Sequence, residues 1–199
     1  MAKNEDVRIS NVVMMGTGEP LDNLENVLKT IGILNDSNGY MIGGRHISVS
    51  TCGILEKIEY LKSIKPTFTL SLSLHAATDE IRDKLMPVNR RYGVKRTVQA
   101  VKEYGDFTKR RVCIEYILID GLNDRKIDAT NLIKLLKGGL FHVNLISANF
   151  VKEVGFKGSD SKKALEFAQI LNDNRITCTI RRRLGQDIDA ACGQLRNRF

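Results

Sequence analysis

Six short apolar runs, rich in valine, isoleucine, leucine or threonine, recur along the chain with longer amphipathic stretches between them. Each run is bounded by Gly, Pro, Asn or Lys, and short β-branched runs with such borders predict β-strands. The predicted strands cover residues 11–15, 46–51, 68–74, 112–119, 143–147 and 176–180.

Between these runs, apolar residues recur at every third or fourth position, which is the spacing of an amphipathic helix. The predicted helices cover residues 23–35, 55–64, 96–104, 127–136 and 163–171. Alternating strands and helices predict an α/β fold with parallel strands and right-handed crossovers. Because no strand leads into a G-x-G-x-x-G turn, we expect an open, partial TIM-type barrel rather than a dinucleotide-binding sheet. Residues 155–161 show neither pattern and are expected to form a mobile loop.

The composition indicates a single folded domain over residues 1–199, since 42% of the 199 residues are hydrophobic and 27% are charged. This apolar fraction excludes intrinsic disorder, and no run approaches the ~18 apolar residues of a membrane span. The opening MAKNEDVRIS lacks the apolar segment of a signal peptide, so a cytoplasmic protein is expected. The four cysteines form no C-x-x-C pair, which favours reduced thiols over disulfides or a local zinc site.

The charge is uneven along the chain. Residues 175–199 contain six arginines and two aspartates, which accounts for half of the formal net charge of +8. A basic cluster with few aromatic residues suits contacts with nucleic-acid phosphates better than stacking on bases. The same charge is also common in proteins without a nucleic-acid partner, so charge alone leaves both interpretations open.

Polar residues follow several of the predicted strands, at the ends where a parallel barrel gathers its functional groups. The first strand leads into GTGEP, whose glycines leave backbone amides open and whose Glu19 offers a carboxylate. Ser71, Ser73 and His75 alternate with leucines and therefore share one face of the third strand. A polar face inside a barrel implies a hydrogen-bonded ligand or water, although a histidine satisfied within the fold is the ordinary alternative.

Two further features lie later in the chain. Asn149, just after the fifth strand, can both donate and accept hydrogen bonds, which suits a nucleoside or amino-acid ligand as well as a loop turn. Cys192 lies between Ala and Gly near arginines that would stabilise a thiolate, although small buried cysteines are common. Asn123 and Asp124 are interpreted mainly as the start of a helix.

Six motifs, in order across nearly the whole chain, resemble the RlmN/Cfr family of radical S-adenosylmethionine (SAM) enzymes. They are MGTGEPLDN, SVSTCGI, SLSLHAATDEIRDKLMPVN, IEYILIDGLND, VNLI with a following Asn, and DIDAACGQL. The family methylates adenine in ribosomal RNA, and its RlmN branch also modifies some tRNAs. The resemblance therefore implies methylation of 23S ribosomal RNA, with tRNA as a further substrate, and the Glu-Pro of the first motif favours adenine C2 over C8.

The resemblance also implies the cofactor site. Positions that match the family's SAM contacts are Gly18, Glu19, Ser50, Ser73, Leu74, His75 and Asn149. The GEP motif, with Gly18 and Glu19, would bind the amino end of SAM.

The methyl carrier follows from the same resemblance. Cys192 matches the cysteine that receives a methyl group from one SAM and delivers it to adenine. It lies in a basic region of about residues 181–199, in which Arg181, Arg182 and Arg183 are expected to contact RNA.

One family feature is absent from the sequence. The family holds its [4Fe-4S] cluster with a C-x-x-x-C-x-x-C motif before the GEP strand, and none occurs among these 199 residues. The resemblance therefore implies a truncated catalytic core that begins one βα unit late, is inactive alone, and leaves the first strand's edge free for dimerisation. The alternative is a cluster-less, non-catalytic relative that binds RNA or SAM.

A first prediction concerns the cluster. We expect the 199-residue polypeptide, reconstituted anaerobically with iron and sulfide, to bind no [4Fe-4S] cluster, because its cysteines lack the spacing that cluster ligation requires. The measurement is the cluster absorbance near about 400 nm together with the iron content per chain. Stoichiometric iron with that absorbance would contradict the prediction.

Overall fold

The computed structural model describes residues 9–147 and 155–181, and all six predicted strands are present in it. The fifth strand begins at Phe141 rather than at Val143. The strands are β1 (Val12–Met14), β2 (Ile47–Thr51), β3 (Thr69–Ser73), β4 (Val112–Leu118), β5 (Phe141–Ser147) and β6 (Cys178–Ile180).

The five predicted helices are also confirmed. The helices are α1 (Leu24–Asn35), α2 (Leu55–Ile64), α3 (Asp79–Leu85), α4 (Asn89–Tyr92), α5 (Val94–Thr108), α6 (Lys126–Leu136) and α7 (Ser161–Asp173). Short 3-10 helices cover Pro20–Asn23 and Gly44–His46. The sequence pattern does not predict α3 and α4, since both are short and bury only two residues each.

The strands form one parallel sheet in the order β1-β2-β3-β4-β5-β6, so each strand pairs with its neighbours in sequence. Within the described residues β1 and β6 are the two edges and do not pair with each other. The open parallel α/β barrel predicted from the sequence is therefore confirmed. Val13 on the β1 edge is 58% exposed, and dimerisation through this edge stays a prediction.

The hydrophobic core lies between the outer face of the sheet and the helices. Leu70 and Leu72 of β3 are buried there, as the alternation of apolar and polar residues predicts. The inner face is polar and is joined across strands by hydrogen bonds between side chains. These pairs are Ser48–Ser71, Ser50–Ser73, Glu115–Asn144 and His142–Thr179.

Gly53, in the turn between β2 and α2, determines how closely α5 packs over that turn. Its φ of +101° belongs to the region that favours glycine, and a Cβ there would lie 2.5 Å from Cγ2 of Thr97 on α5. The tight turn and the close packing of α5 over it therefore both require a residue without a side chain.

The prediction of a mobile loop at residues 155–161 is wrong. Gly158 forms an antiparallel bridge with Ile119, and the amide of Ser159 donates to the carbonyl oxygen of Leu118 at 3.3 Å. The hydroxyl of Ser159 is buried and donates to Asp124 at 2.7 Å. The segment is thus held against the end of β4. None of the helices in the described ranges is long and apolar enough to cross a bilayer.

Candidate active site at the carboxyl ends of the strands

The loop after β1 brings a carboxylate to the end of β2. Oε1 of Glu19 accepts a hydrogen bond from the amide of Leu21 at 3.0 Å, which caps the first 3-10 helix, and Oε2 accepts one from the amide of Cys52 at 2.7 Å. A carboxylate offers about four acceptor positions, so each oxygen keeps capacity for a ligand. Gly18 has a φ of +107° and open space where a Cβ would stand, so a ligand can approach its backbone closely.

Two hydroxyls lie side by side on the inner face at the ends of β2 and β3. The Oγ atoms of Ser50 and Ser73 are 3.1 Å apart and share one hydrogen bond. Either can be the donor, so the pair still offers one hydroxyl proton and several lone pairs to a ligand. The structure thus brings these two sequence-predicted residues together.

Leu74 contributes differently from its neighbours. Its side chain is fully buried in the core, its amide donates to the carbonyl oxygen of Glu115 at 3.0 Å, and its own carbonyl accepts from Arg82 at 3.0 Å. A ligand at this edge would therefore meet the backbone of Leu74 and not its side chain.

His75 follows β3 with a φ of +60° and turns its ring toward β4. Its Nδ1 accepts a hydrogen bond from the amide of Ile117 at 3.2 Å, so the neutral ring carries its proton on Nε2. Burial, with a smaller contribution from the nearby Arg82 charge, lowers the pKa of His75 to about 4. The ring is therefore neutral near pH 7, and its Nε2–H makes no hydrogen bond to the described residues.

Arg82 on α3 is fully buried and holds the ends of β2 and β3. Its Nη2 donates to the carbonyl oxygens of Cys52 at 2.7 Å and Ser73 at 3.2 Å, and its Nε donates to that of Leu74 at 3.0 Å. The remaining Nη1 donates to Oδ1 of Asn89 at 3.0 Å. The sequence interpretation did not identify Arg82, because nothing in the hydrophobic pattern distinguishes it from an exposed cation on the same short helix.

Asn89 connects Arg82 to two carboxylates. Its Nδ2 donates to Oδ1 of Asp79 at 3.0 Å and to Oδ1 of Asp83 at 2.7 Å, and Asp79 also accepts from the amide of Val94. These bonds lower the pKa of Asp79, and the charges of Asp79 and Asp83 favour the charged form of Arg82 against the effect of burial. The Asn89 amide thereby links the buried positive charge of Arg82 to the negative charges of Asp79 and Asp83.

Asn123 does not start a helix, which corrects the sequence interpretation. Helix α6 begins at Lys126 with Arg125 as its N-cap. Asn123 is instead fully buried: its Nδ2 donates to the carbonyl oxygens of His75 at 2.8 Å and Ile117 at 2.7 Å. It therefore ties the end of β3 to the end of β4, beside the His75 ring.

The remaining predicted site residues lie near or beyond the described ranges. Asn149, Cys192, Arg182 and Arg183 lie outside the described residues. Arg181 is exposed at the end of β6, and its Nη1 lies 3.8 Å from Sδ of Met15 at the end of β1. This side chain reaches across the opening between the two edges of the sheet.

The described cysteines are poor nucleophiles. Burial, with a contribution from Glu19, raises the pKa of Cys52 to about 12, and burial raises the pKa values of Cys113 and Cys178 as well. Their thiols are therefore protonated near pH 7. Within residues 9–147 and 155–181, no group of three His, Cys, Asp or Glu side chains is placed to hold a metal ion.

Comparisons with known proteins agree with this architecture. Residues 1–133 match the family described as the radical SAM superfamily. A probable dual-specificity RNA methyltransferase RlmN from Thermoanaerobacter pseudethanolicus is 50% identical over 192 residues, covering 96% of this chain and 56% of that protein. A protein of the same name from Clostridium tetani is 49% identical, covering 96% and 55%. The chain thus spans about half the length of the curated relatives it matches.

Solved structures show the same similarity. The crystal structure of a radical SAM methyltransferase from Sphaerobacter thermophilus matches with a TM-score of 0.92 and 40% identity, over 97% of this chain and 57% of that one. A domain of a pyruvate-formate lyase-activating enzyme from Bacteroides vulgatus shares the fold alone, with a TM-score of 0.64 and 17% identity over 87% of this chain and 100% of that one. The resemblance to RlmN-type enzymes is thereby confirmed.

Removing the Arg82 guanidinium should destabilise the fold strongly. We expect Arg82→Met to lower the free energy of unfolding by about 3–5 kcal/mol, because three carbonyl oxygens and the Asn89 amide lose a buried donor. Arg91→Met is the matched control, since Arg91 forms an exposed ion pair with Glu56 and such pairs contribute about 0–1 kcal/mol. Urea unfolding at pH 7 measures both; a loss below about 1 kcal/mol for Arg82→Met would refute the prediction.

The neutral His75 ring should make stability depend on pH. The unfolded chain binds a proton on this imidazole below about pH 6.5, whereas the folded chain resists it down to about pH 4. The contribution of His75 is therefore complete above about pH 6.5 and is lost as the pH falls toward 4. In His75→Asn, whose amide oxygen can accept from Ile117 and which tolerates positive φ, unfolding midpoints at pH 7 and pH 5 should differ less than in the wild type. An NMR titration of the His75 ring with a midpoint near 6.5 would contradict this.

Proposed function

The chain belongs to the radical SAM superfamily, and we propose that it forms the SAM-binding and methyl-carrying part of an RNA adenine methyltransferase. The observation that carries this proposal is identity of 50% over 96% of the chain to proteins named dual-specificity RNA methyltransferases. We call the carboxyl ends of the strands, with the loops that follow them, the carboxyl edge. The matched stretch includes every described residue of this edge, so it supports the fold and the candidate site together.

The carboxyl edge fits SAM chemically. SAM offers an ammonium group, a carboxylate and ribose hydroxyls, and the edge offers acceptors and donors in close proximity. The Glu19 carboxylate is fixed by two backbone amides and keeps acceptor capacity for the ammonium group. The hydroxyls of Ser50 and Ser73 and the Nε2–H of His75 suit the ribose hydroxyls and the carboxylate.

The neutral state of the His75 ring suits it to binding SAM. An imidazole that stays uncharged near pH 7 donates one hydrogen bond from Nε2 without placing a second positive charge beside the sulfonium of SAM. Arg82 acts behind this edge as a positioning residue, because it fixes the carbonyls of Cys52, Ser73 and Leu74. Asn149 is proposed as a further SAM contact from the family resemblance.

The superfamily implies a [4Fe-4S] cluster as well as SAM. The three cysteines within residues 9–147 and 155–181 do not fit that group: Cys113 and Cys178 lie on different strands with protonated thiols, and Cys52 lies apart from both, just after β2. We therefore assign no step through a cluster to these residues. In a whole protein, ligands for the cluster would have to come from another segment.

SAM would supply two chemistries when bound: an activated methyl group and, with an electron from a cluster held by another segment, a radical able to remove hydrogen from a methyl thioether. We propose that the Cys192 thiol takes the methyl group, losing its proton and releasing S-adenosylhomocysteine. The carbon of that thioether, after loss of a hydrogen atom, would add to C2 of an adenine in 23S ribosomal RNA, with tRNA as a further substrate. Arg181, together with Arg182 and Arg183, would neutralise phosphates of the RNA as it approaches Cys192. The exposure of Arg181 at the open side of the barrel supports this placement.

A second candidate function is retention of SAM or RNA binding without catalysis. The lack of cluster-binding cysteine spacing in the 199 residues favours it. The two candidates differ in one measurable respect, since only the first predicts methylated adenine when a cluster-binding segment is supplied.

The test is methyl incorporation by a whole protein that joins this chain to a cluster-binding segment. We expect Cys192→Ala to reduce the transfer of labelled methyl groups to RNA adenine by at least about a thousandfold, because the carrier thiol is lost. Cys178→Ala is the control, since its buried thiol packs in the core and only a modest loss of stability is expected. Circular dichroism checks that both variants fold. Undiminished methylation by Cys192→Ala would exclude Cys192 as the carrier.

A further inference from the structure

A cavity of about 650 Å³ opens at the other end of the sheet, where the strands begin. It is lined by residues of β1, β2, β3, β4 and β5 and by the segments that precede β1, β2 and β4. This volume lies in the range of sites that hold small molecules. The candidate SAM residues at the carboxyl edge do not line it.

The inner wall of this cavity carries a buried carboxylate. Glu115 of β4 is 3% exposed, accepts from Nδ2 of Asn144 at 2.8 Å, and accepts from the Cys113 thiol at 3.2 Å. Both partners are neutral, and no cation of the described residues forms an ion pair with Glu115. A buried carboxylate with only two neutral donors has unused acceptor positions facing the cavity.

The mouth of the cavity carries the opposite charge. Arg45 precedes β2, and Lys109, Arg110 and Arg111 are consecutive in the turn before β4. None of these four cations forms an ion pair within the described part of the chain. Arg111 lines the cavity together with His142 of β5. Burial, with a smaller contribution from the Arg111 charge, lowers the pKa of His142.

We propose that this cavity binds a nucleotide whose base carries an exocyclic amine, with the amine on Glu115 and the phosphate at the basic mouth. An exocyclic amine has two N–H donors that a carboxylate accepts, whereas a base carbonyl at the same place would face it acceptor to acceptor. The planar guanidinium of Arg111 suits a phosphate. A small anion would suit the basic mouth of the cavity but would be repelled by the Glu115 carboxylate.

The spacing of the two ends agrees with such a ligand. Arg111 and Glu115 are four residues apart along β4, which corresponds to about 13 Å between their Cα atoms. The long arginine side chain covers part of that distance, and a ribose fits the remainder. The hydroxyls of Ser48 and Ser71, bonded to each other at 3.0 Å, lie on the wall between the ends and can meet the sugar.

The cavity is separate from the proposed site of methyl transfer. It contains none of the residues assigned to SAM, and it opens at the amino-terminal side of the sheet. The adenine of SAM also carries an exocyclic amine, so a variant at the carboxyl edge locates the nucleotide better than competition by SAM does. Glu19→Gln should leave AMP or CMP binding unchanged, because Glu19 does not line the cavity. Loss of nucleotide binding in Glu19→Gln would show that the ligand occupies the carboxyl edge and would overturn the assignment.

The experiment is calorimetric titration of the 199-residue chain with AMP, CMP, IMP and UMP. We expect AMP or CMP to bind at least about tenfold more tightly than its carbonyl counterpart, IMP or UMP. In Glu115→Gln, whose amide can donate to a carbonyl, the preference should fall below about twofold or reverse. A residue with a merely structural role would weaken all four ligands equally, and that outcome would overturn the proposal.

The charged end is tested separately, with variants that leave the core intact. Arg111→Ala should weaken AMP or CMP by about tenfold and leave adenosine or cytidine unaffected, because the nucleosides lack the phosphate. Arg96→Ala, an exposed arginine on α5 away from the cavity, is the matched control and should change neither. Titration with a short RNA that carries the preferred nucleotide at its 5′ end compares the affinity for an RNA end with that for the free nucleotide, and the tighter binder is the ligand that the cavity suits. Equal affinity for all four nucleotides, or no binding at millimolar concentration, would refute the site.

Discussion

The guanidinium of Arg82 is the interaction on which the carboxyl edge of the sheet depends. Strands of a parallel sheet end with carbonyl groups that have no further strand residue to bond to, and a buried carbonyl without a donor costs about 1–3 kcal/mol. Arg82 supplies donors to three such carbonyls at once: that of Cys52 just after β2, that of Ser73 at the end of β3 and that of Leu74 just after β3. No neutral side chain has enough donors in a rigid fork to do the same. The candidate site is built on that edge.

The residues that would contact a ligand also hold the fold together. Glu19 joins two loops through the amides of Leu21 and Cys52, and His75 joins β3 to β4 through the amide of Ile117. Each side chain uses some of its hydrogen-bonding positions within the fold, and the others are available to a ligand. Because the fold fixes their positions, a ligand that binds them meets groups already in place, and less conformational entropy is lost on binding.

Much of the fold could be predicted from local patterns, whereas the connections within the site could not. The apolar runs predicted all six strands, and the alternation of Ser71, Ser73 and the leucines between them correctly predicted a polar inner face. Those features depend on neighbours within a few residues. Asn123 and Arg82 bond to atoms that are distant in sequence, so a local pattern assigns them to a helix start or an exposed helix surface. The prediction of a mobile loop at residues 155–161 was wrong for the same reason, because Ser159 is bonded to Asp124, which is distant in sequence.

The polar inner face shows why the two ends of the sheet can bind different ligands. A sheet covered by helices on one side needs only its outer residues for the core, so its inner positions are free to carry Ser, Cys, Asn and Glu. Glu115 lies where the two ends meet. Its carbonyl oxygen accepts from the amides of Leu74 and His75 at the carboxyl edge, while its side chain lines the cavity at the other end. A ligand that reorients the carboxylate moves the side chain of Glu115 and leaves its backbone carbonyl, which holds Leu74 and His75, in place. Because the pairing of β3 with β4 fixes that backbone, the two ends of the sheet can be occupied independently.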